Sequence, residues 1–174
     1  MPLLLAALLA TASGPSHHGF FLRMDLGIGY QDSTANSTTI SGPAGGFGIS
    51  VGGGVAENLA LFGMLFGGGT TADDPKASPA MIGFGATYYF KPANVFLSGS
   101  VGFGGLRLKQ NGVEHDTDAG FASRVGIGKE WFVSDSWGLG VAGYLAFAAV
   151  KDKGVDPPTW RTISPLVAFS ATFY

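Results

Sequence analysis

Hydrophobic and small or polar residues alternate along most of the chain with a period of two. The alternation is clearest near the start, where one face comprises Leu22, Met24, Leu26, Ile28 and Tyr30. The intervening positions are Phe21, Arg23, Asp25, Gly27 and Gly29. Strict alternation over this length predicts a β-strand with two different faces.

Eight segments of this kind follow one another, at about residues 20–30, 44–55, 59–69, 80–90, 95–108, 119–131, 137–149 and 162–174. Most are near the 9–11 residues that a tilted transmembrane strand requires. The segment 59–69 is apolar on both faces, so its pattern does not fix which side chains point inward.

The connectors between these segments alternate in length. Three are short, at 56–58, 91–94 and 133–136, and four are longer and polar, at about 31–43, 70–79, 109–118 and 150–161. Bacterial outer-membrane barrels have short periplasmic turns and longer outer loops. The pattern therefore predicts an all-β fold, a closed eight-stranded antiparallel up-and-down barrel, with both ends of the chain on the periplasmic side.

Alternation alone also fits a soluble lipocalin-like barrel, whose apolar face points inward. The composition of the second face distinguishes the two, because the chain has 29 glycines in 174 residues and only 13% charged residues. Glycine is a poor residue for a water-facing strand. It suits the crowded lumen of an eight-stranded barrel, where gaps beside glycine accept Tyr89, Phe96 and Tyr144. This favours an apolar face that meets lipid.

Aromatic residues cluster at the predicted strand ends. Near the short turns or the C-terminal end are Phe90, Trp131, Phe132, Trp137, Phe173 and Tyr174, and near the long connectors are Tyr30, Phe66, Phe103, Phe121 and Phe147. Two aromatic belts are typical of proteins that span a bilayer.

The chain begins with a short apolar run, Leu3 to Ala10, that is too short to span a membrane as a helix. With the small-residue pattern Ala10-Thr11-Ala12 it predicts a signal peptide over residues 1–12, although no basic residue precedes the run. A flexible segment over 13–18 and a barrel over 19–174 complete the predicted organisation.

The last strand ends in alternating apolar residues and two aromatics, Val167, Phe169, Ala171, Phe173 and Tyr174. Together with the first strand, at 19–30, it resembles the small outer-membrane barrels of the protein A and protein X type. In that family the terminal strand is the signal read by the barrel-assembly machinery, and the resemblance implies the same role here. The second terminal aromatic, Tyr174, departs from the usual single one.

Four charged residues map to the predicted inward face: Arg23, Asp25, Arg124 and Glu130. An unpaired charge in a narrow lumen would cost several kcal/mol. Two charges of each sign therefore predict a paired network that plugs the bore, with a gate or narrow ion path as the functional alternative.

Other chemistry finds little support. The net charge of −2 gives no basic patch for nucleic acid, and the absence of cysteine excludes thiolate catalysis and disulfides. We expect His115 to be a solvated loop residue, and His17-His18 and Asp73-Asp74 to be weak metal ligands at most. The glycine runs 52–54 and 67–69 lack the Gly-Lys-Ser/Thr of a phosphate loop. No cofactor or metal is expected.

The sequence therefore predicts a non-enzymatic protein of the bacterial outer membrane: a monomeric scaffold whose four outer loops contact lipopolysaccharide or surface partners. A narrow channel is the alternative, and a lipid A-modifying enzyme is a third possibility.

Overall fold

The computed structural model describes residues 19–72, 74–154 and 156–174, and its regular structure is β-strand. The strands are β1 (Gly19–Ala35), β2 (Thr38–Ala56), β3 (Leu59–Thr70), β4 (Lys76–Phe90), β5 (Val95–Gln110), β6 (Val113–Asp116), β7 (Gly120–Phe132), β8 (Trp137–Lys151) and β9 (Thr159–Phe173). The predicted signal peptide and the segment 13–18 lie outside the described residues. Within the described ranges, no helix is long and apolar enough to cross a membrane.

Eight of the strands close into a single antiparallel barrel. Seven of its strand pairings join neighbours in the order β4-β3-β2-β1-β9-β8-β7-β5, and pairing of β4 with β5 closes the ring. The one strand outside the ring, β6, has four residues and pairs with the outer end of β5. The closed eight-stranded fold predicted from the sequence is confirmed.

The apolar face of the barrel points outward. Leu26, Phe84 and Phe169 are 68%, 69% and 73% exposed, whereas Tyr89 and Phe96 are fully buried inside. This arrangement rules out the lipocalin-like alternative, in which the large apolar residues would form an internal core.

The register that the sequence left open in β3 is now fixed. Ala60, Phe62, Met64 and Phe66 point inward, and Leu61 and Leu65 point outward. The position of Phe66 near a long connector predicted that it belongs to the outer aromatic belt. That prediction is wrong, because its side chain packs inside the lumen at 7% exposure.

The outer connectors are much shorter than predicted. Most of the predicted loop 31–43 is strand, since β1 continues to Ala35 and β2 begins at Thr38. In the predicted loop 109–118, Asn111 and Gly112 form the tip of a β5–β6 hairpin with φ of 53° and 76°. Asn-Gly is favoured at such turns because both residues tolerate positive φ. Serine and threonine in these segments suggested loops, but threonine and isoleucine also favour strands.

The extended outer part of the barrel has a hydrophobic core of its own. Its buried members are Ala35, Ile40, Ala77, Leu106, Leu108, Val150 and Trp160. Burying apolar surface stabilises by roughly 25 cal/mol per Å². This second core holds the strand extensions together as a walled rim above the lipid-facing band.

The alternation of short and long connectors predicts that the β5–β6 hairpin lies outside the cell. Glu114→Cys, in exposed β6, should react with a membrane-impermeant maleimide in intact cells, because the chain has no other cysteine. Ser134→Cys, in the short turn between β7 and β8, is the matched control and should react only after the envelope is ruptured. The opposite labelling pattern would invert the topology.

Candidate functional site: a charged network in the lumen

The four charged residues predicted to face inward lie together inside the barrel. Arg23 and Asp25 project from β1, and Arg124 and Glu130 project from β7 on the far side of β9 and β8. Each is at most 5% exposed. Alternation along the two strands places each pair on the inward face. Ring closure lets the two strands, which share no pairing, face one another across the lumen.

Two ion pairs cross the lumen from β1 to β7. Arg23 Nη2 lies 3.2 Å from Glu130 Oε2, and Arg124 Nη1 lies 3.0 Å from Asp25 Oδ2. A buried charge is tolerated when it has a partner and further hydrogen bonds satisfy its remaining atoms. The surroundings of each pair supply those bonds.

Glu130 is hydrogen-bonded to the last residues of the chain. Its carboxylate accepts hydrogen bonds from Thr172 Oγ1 at 2.7 Å and from the hydroxyl of Tyr174. Arg23 donates through Nε to Thr172 Oγ1 at 3.2 Å, and also to the hydroxyl of Tyr89. The Tyr89 and Tyr174 hydroxyls are 2.7 Å apart. The Arg23–Glu130 pair, which we call the lower pair, is thus fixed by two tyrosines and a threonine.

Asp25 and Arg124 share a different tyrosine. The Tyr144 hydroxyl donates to Asp25 Oδ1 at 3.2 Å, and the Arg124 guanidinium carbon lies 3.5 Å from the centroid of the Tyr144 ring. Arg124 also lies 5.0 Å from the Phe66 ring centroid. A cation over an aromatic face is stabilised by the ring quadrupole, and more so when both are removed from water.

Glycines provide the room for these large side chains. A Cβ at Gly126 would lie 2.2 Å from Tyr144 Cδ1, and one at Gly138 would lie 2.5 Å from Glu130 Oε1. No side chain fits at those distances. Gly126 and Gly138 are therefore required by the close approach of Tyr144 and Glu130 to the barrel wall.

Little empty space remains around the Arg124–Asp25 pair, which we call the upper ion pair. A cavity of about 10 Å³ is lined by Arg23, Asp25, Ser50, Phe62, Met64, Ser98, Ser100, Arg124 and Tyr144, which is about the volume that one water needs. Arg124 Nε is buried there without a hydrogen-bond partner in the described residues. A single ordered water in this cavity would satisfy it.

The candidate metal and catalytic residues that the structure describes do not come together in one cluster. The described residues contain no group of three metal-ligating side chains. The Asp74 carboxylate instead accepts hydrogen bonds from the backbone amides of Asn111 and Gly112, at 2.9 and 2.8 Å. Asp73 and the pair His17-His18 lie outside the described residues.

His115 is exposed, but it lies in strand β6 rather than in a loop and has a charged neighbour. Its Nε2 lies 3.6 Å from Asp152 Oδ1, and its side chain is 48% exposed. Asp152 also accepts a hydrogen bond from Trp160 Nε1 at 3.3 Å. His115 therefore links the β5–β6 hairpin to the last outer loop, with no nucleophile beside it among its described contacts.

The residues of the predicted assembly signal divide between two environments. Val167 and Phe169 are exposed on the outer wall at 58% and 73%, and Ala171 and Phe173 are half-buried on the same face. Tyr174 instead turns into the lumen, where its ring meets the Phe21 ring edge to face, with centroids 6.0 Å apart. The prediction that Tyr174 belongs to the aromatic belt is therefore wrong. Its hydroxyl belongs to the charged network, a role that was not predicted from the sequence.

Several solved structures share this fold. Neisserial surface protein A is 11% identical, with 88% of this chain and 96% of that chain covered and a TM-score of 0.65. Outer membrane protein AlkL, studied by solid-state NMR in DMPC lipid bilayers, is 13% identical, with 94% and 93% covered and a TM-score of 0.52. Ail, the attachment invasion locus protein of Yersinia pestis, in complex with the heparin analogue sucrose octasulfate, is 9% identical, with 87% and 98% covered and a TM-score of 0.50. At these identities the likeness concerns the fold alone.

Comparison at the level of sequence gives a family. The family model for the outer membrane protein beta-barrel domain matches residues 3–160. The comparison with curated protein sequences found no match.

Proposed function

The chain belongs to the outer membrane protein beta-barrel domain family and lies in the bacterial outer membrane, and from this premise we propose that it is a non-enzymatic scaffold. In this proposal the lumen is plugged, and the walled outer rim makes the contacts with surface partners.

The observation that carries the proposal is the pair of ion pairs spanning the lumen. Arg23–Glu130 and Arg124–Asp25 connect β1 with β7 across the lumen, and Tyr89, Tyr144 and Tyr174 fill the space around them. Passage of a hydrated ion would require these buried charges to separate, which is costly in a low-dielectric lumen. A plugged lumen leaves the outer surface as the working part of the molecule.

The outer rim supports a role in surface contact. The strand extensions pack on their own hydrophobic core and present the exposed hairpin tips at 36–37 and 111–112. Ail, which shares this fold, is described as an attachment invasion locus protein. We extend to the present chain only the idea that such a barrel displays loops for recognition, with the partner itself unidentified.

Biogenesis and oligomeric state belong to the same proposal. Val167, Phe169, Ala171 and Phe173 form an outward apolar row at the end of the chain, which is suited to recognition by the barrel-assembly machinery. Closure of the ring by β4–β5 pairing leaves no barrel strand edge to pair with a second copy, in keeping with a monomer.

Bilayer conductance tests the plugged lumen. The protein in a planar bilayer should show no steady conductance steps. The double variant Arg124→Ala/Asp25→Ala should show small, intermittent steps, because it removes the upper ion pair without leaving an unpaired charge. Arg161→Ala, on the outer wall, should behave as the unmodified chain does. Steady steps from the unmodified chain would refute the plug and establish the narrow channel.

The narrow channel stays the second candidate because of one feature. The unpartnered Arg124 Nε beside a cavity of water size is where water would enter the network first. Lipid A modification is tested separately, by mass spectrometry of lipid A from cells with and without the protein. No mass difference is expected, since the described part of the chain has no histidine in a barrel strand.

A further inference from the structure

Three small residues form a row on the outer wall at the extracellular edge of the apolar band. Gly67 on β3 pairs with Ala80 on β4, and Ala80 pairs with Gly105 on β5. A Cβ at Gly67 or Gly105 would meet no other atom within 4 Å. The row is the floor of an open groove of about 390 Å³, which we call the outer-wall groove.

The rim of this groove toward the membrane is strongly apolar. Leu65, Ile82 and Phe103 occupy the next outward row on the same three strands, and they are 57%, 61% and 71% exposed. These residues belong to the lipid-facing band. An acyl chain that packs on them can continue onto the groove floor without crossing a polar surface.

The opposite rim is polar and carries an exposed ion pair. Ser78 and Arg107 pair directly across β4 and β5, and Asp116 pairs with Arg107 from β6. Arg107 Nε donates to Asp116 Oδ1 at 2.8 Å, with both side chains more than half exposed. This hydrogen bond lowers the pKa of Asp116, so both charges are present at neutral pH.

Two lysines stand one row farther out. Lys76 and Lys109 lie directly opposite one another on β4 and β5, an arrangement of like charges that destabilises a strand pair unless an anion lies between them. The nearby Asp74 carboxylate is occupied by backbone amides of the hairpin tip. Glu114 pairs with Lys109 from the other side. The rim therefore combines cations with carboxylates, which suits sugar hydroxyls together with phosphate better than an isolated anion.

We propose that the outer-wall groove binds the phosphorylated sugar headgroup of an outer-leaflet glycolipid, the chemistry of lipid A. Rows on one face of a strand are about 7 Å apart, so Arg107 and the lysine pair lie about 7 and 14 Å beyond the groove floor. A phosphorylated disaccharide spans such a distance while its acyl chains lie on the floor and on Phe103. The inference depends on the membrane position of the barrel and is independent of whether its lumen is plugged.

Native mass spectrometry of the full chain released from micelles containing bisphosphorylated lipid A tests this site. Arg107→Gln and Gly105→Leu should each reduce retained lipid A about tenfold, equivalent to about 1.4 kcal/mol. Two matched variants should retain lipid A as the unmodified chain does. Arg161→Gln removes an exposed outward arginine of β9, and Gly99→Leu fills an equally open outward position of β5.

Two further probes decide which part of the lipid is recognised. Lipid A without its phosphates should be retained about tenfold less, and inorganic phosphate in the millimolar range should fail to displace the intact lipid. Equal loss in all four variants, equal retention of dephosphorylated lipid, or displacement by phosphate alone would each overturn the proposal. Arg107→Gln changes only an exposed side chain, so it decides the question even if Gly105→Leu does not fold.

Discussion

Replacement of Arg124 by alanine should lower the free energy of unfolding by about 3–5 kcal/mol. Its partner Asp25 is 3% exposed, and in the variant it would keep a buried charge with only the Tyr144 hydroxyl as a described hydrogen-bond donor. The loss of packing between the guanidinium and the Tyr144 ring adds to the cost. Urea titration of folding into phospholipid vesicles measures the change.

Two variants show whether the cost arises from the unpaired Asp25 carboxylate. Arg161→Ala, on the exposed outer wall, should change stability by no more than about 0.5 kcal/mol. Arg124→Met combined with Asp25→Leu removes both charges together and should cost clearly less than Arg124→Ala, because replacing a whole buried pair is often close to neutral. A cost for Arg124→Ala of about 1 kcal/mol or less would mean that the lumen is wet and the pair is screened.

Arginine in place of Val125 should weaken folding into bilayers by about 2–4 kcal/mol. Val125 is 52% exposed on the outer wall, near the middle of β7, and it pairs with Leu145 on β8 and Gly99 on β5. At that depth the guanidinium has neither water nor a carboxylate partner. The same vesicle titration reports the loss.

Position along the strand supplies the control for this second variant. Leu22 is also outward but lies near the end of the barrel that carries the short turns, beside Phe173, where an arginine can reach the interface and should cost about 0–1 kcal/mol. Equal costs at the two positions would contradict the depth assigned to the apolar band.

Much of the fold follows from two features of the sequence. Period-two alternation located the barrel strands other than β3, because a strand with one lipid-facing and one lumen-facing side must alternate. Alternating connector lengths gave the topology. The method failed in β3, where Ala60 and Phe62 fill the lumen while Leu61 faces out. Apolar residues occupy both faces there, so alternation carries no information.

The outer rim was hidden because its strands use polar residues. Between 31 and 43 the inward side chains include Gln31 and Ser33, which hydrogen-bond inside the rim at 3.1 Å. Without an apolar outward face, this segment resembles a loop in composition. The Asn111-Gly112 pair was the signal that could have revealed the β5–β6 hairpin.

The four charged residues of the network were predicted from the sequence, but their pairing was not. Alternation placed Arg23, Asp25, Arg124 and Glu130 on inward faces, but the choice of partners depends on the register between β1 and β7, which share no pairing. Tyr174 was assigned to the aromatic belt because it is aromatic, but the alternation of β9, with Phe173 outward, places residue 174 on the inward side. That alternation was the signal for its contribution to the network.

The orientation of the two faces of the barrel is the claim on which all other conclusions depend, and a nitroxide at Val125→Cys tests it most directly. In phospholipid vesicles its relaxation should be enhanced strongly by oxygen, which concentrates in the lipid, and little by a water-soluble nickel chelate. Strong enhancement by the chelate, or protection from both reagents, would contradict an outward apolar face in contact with lipid.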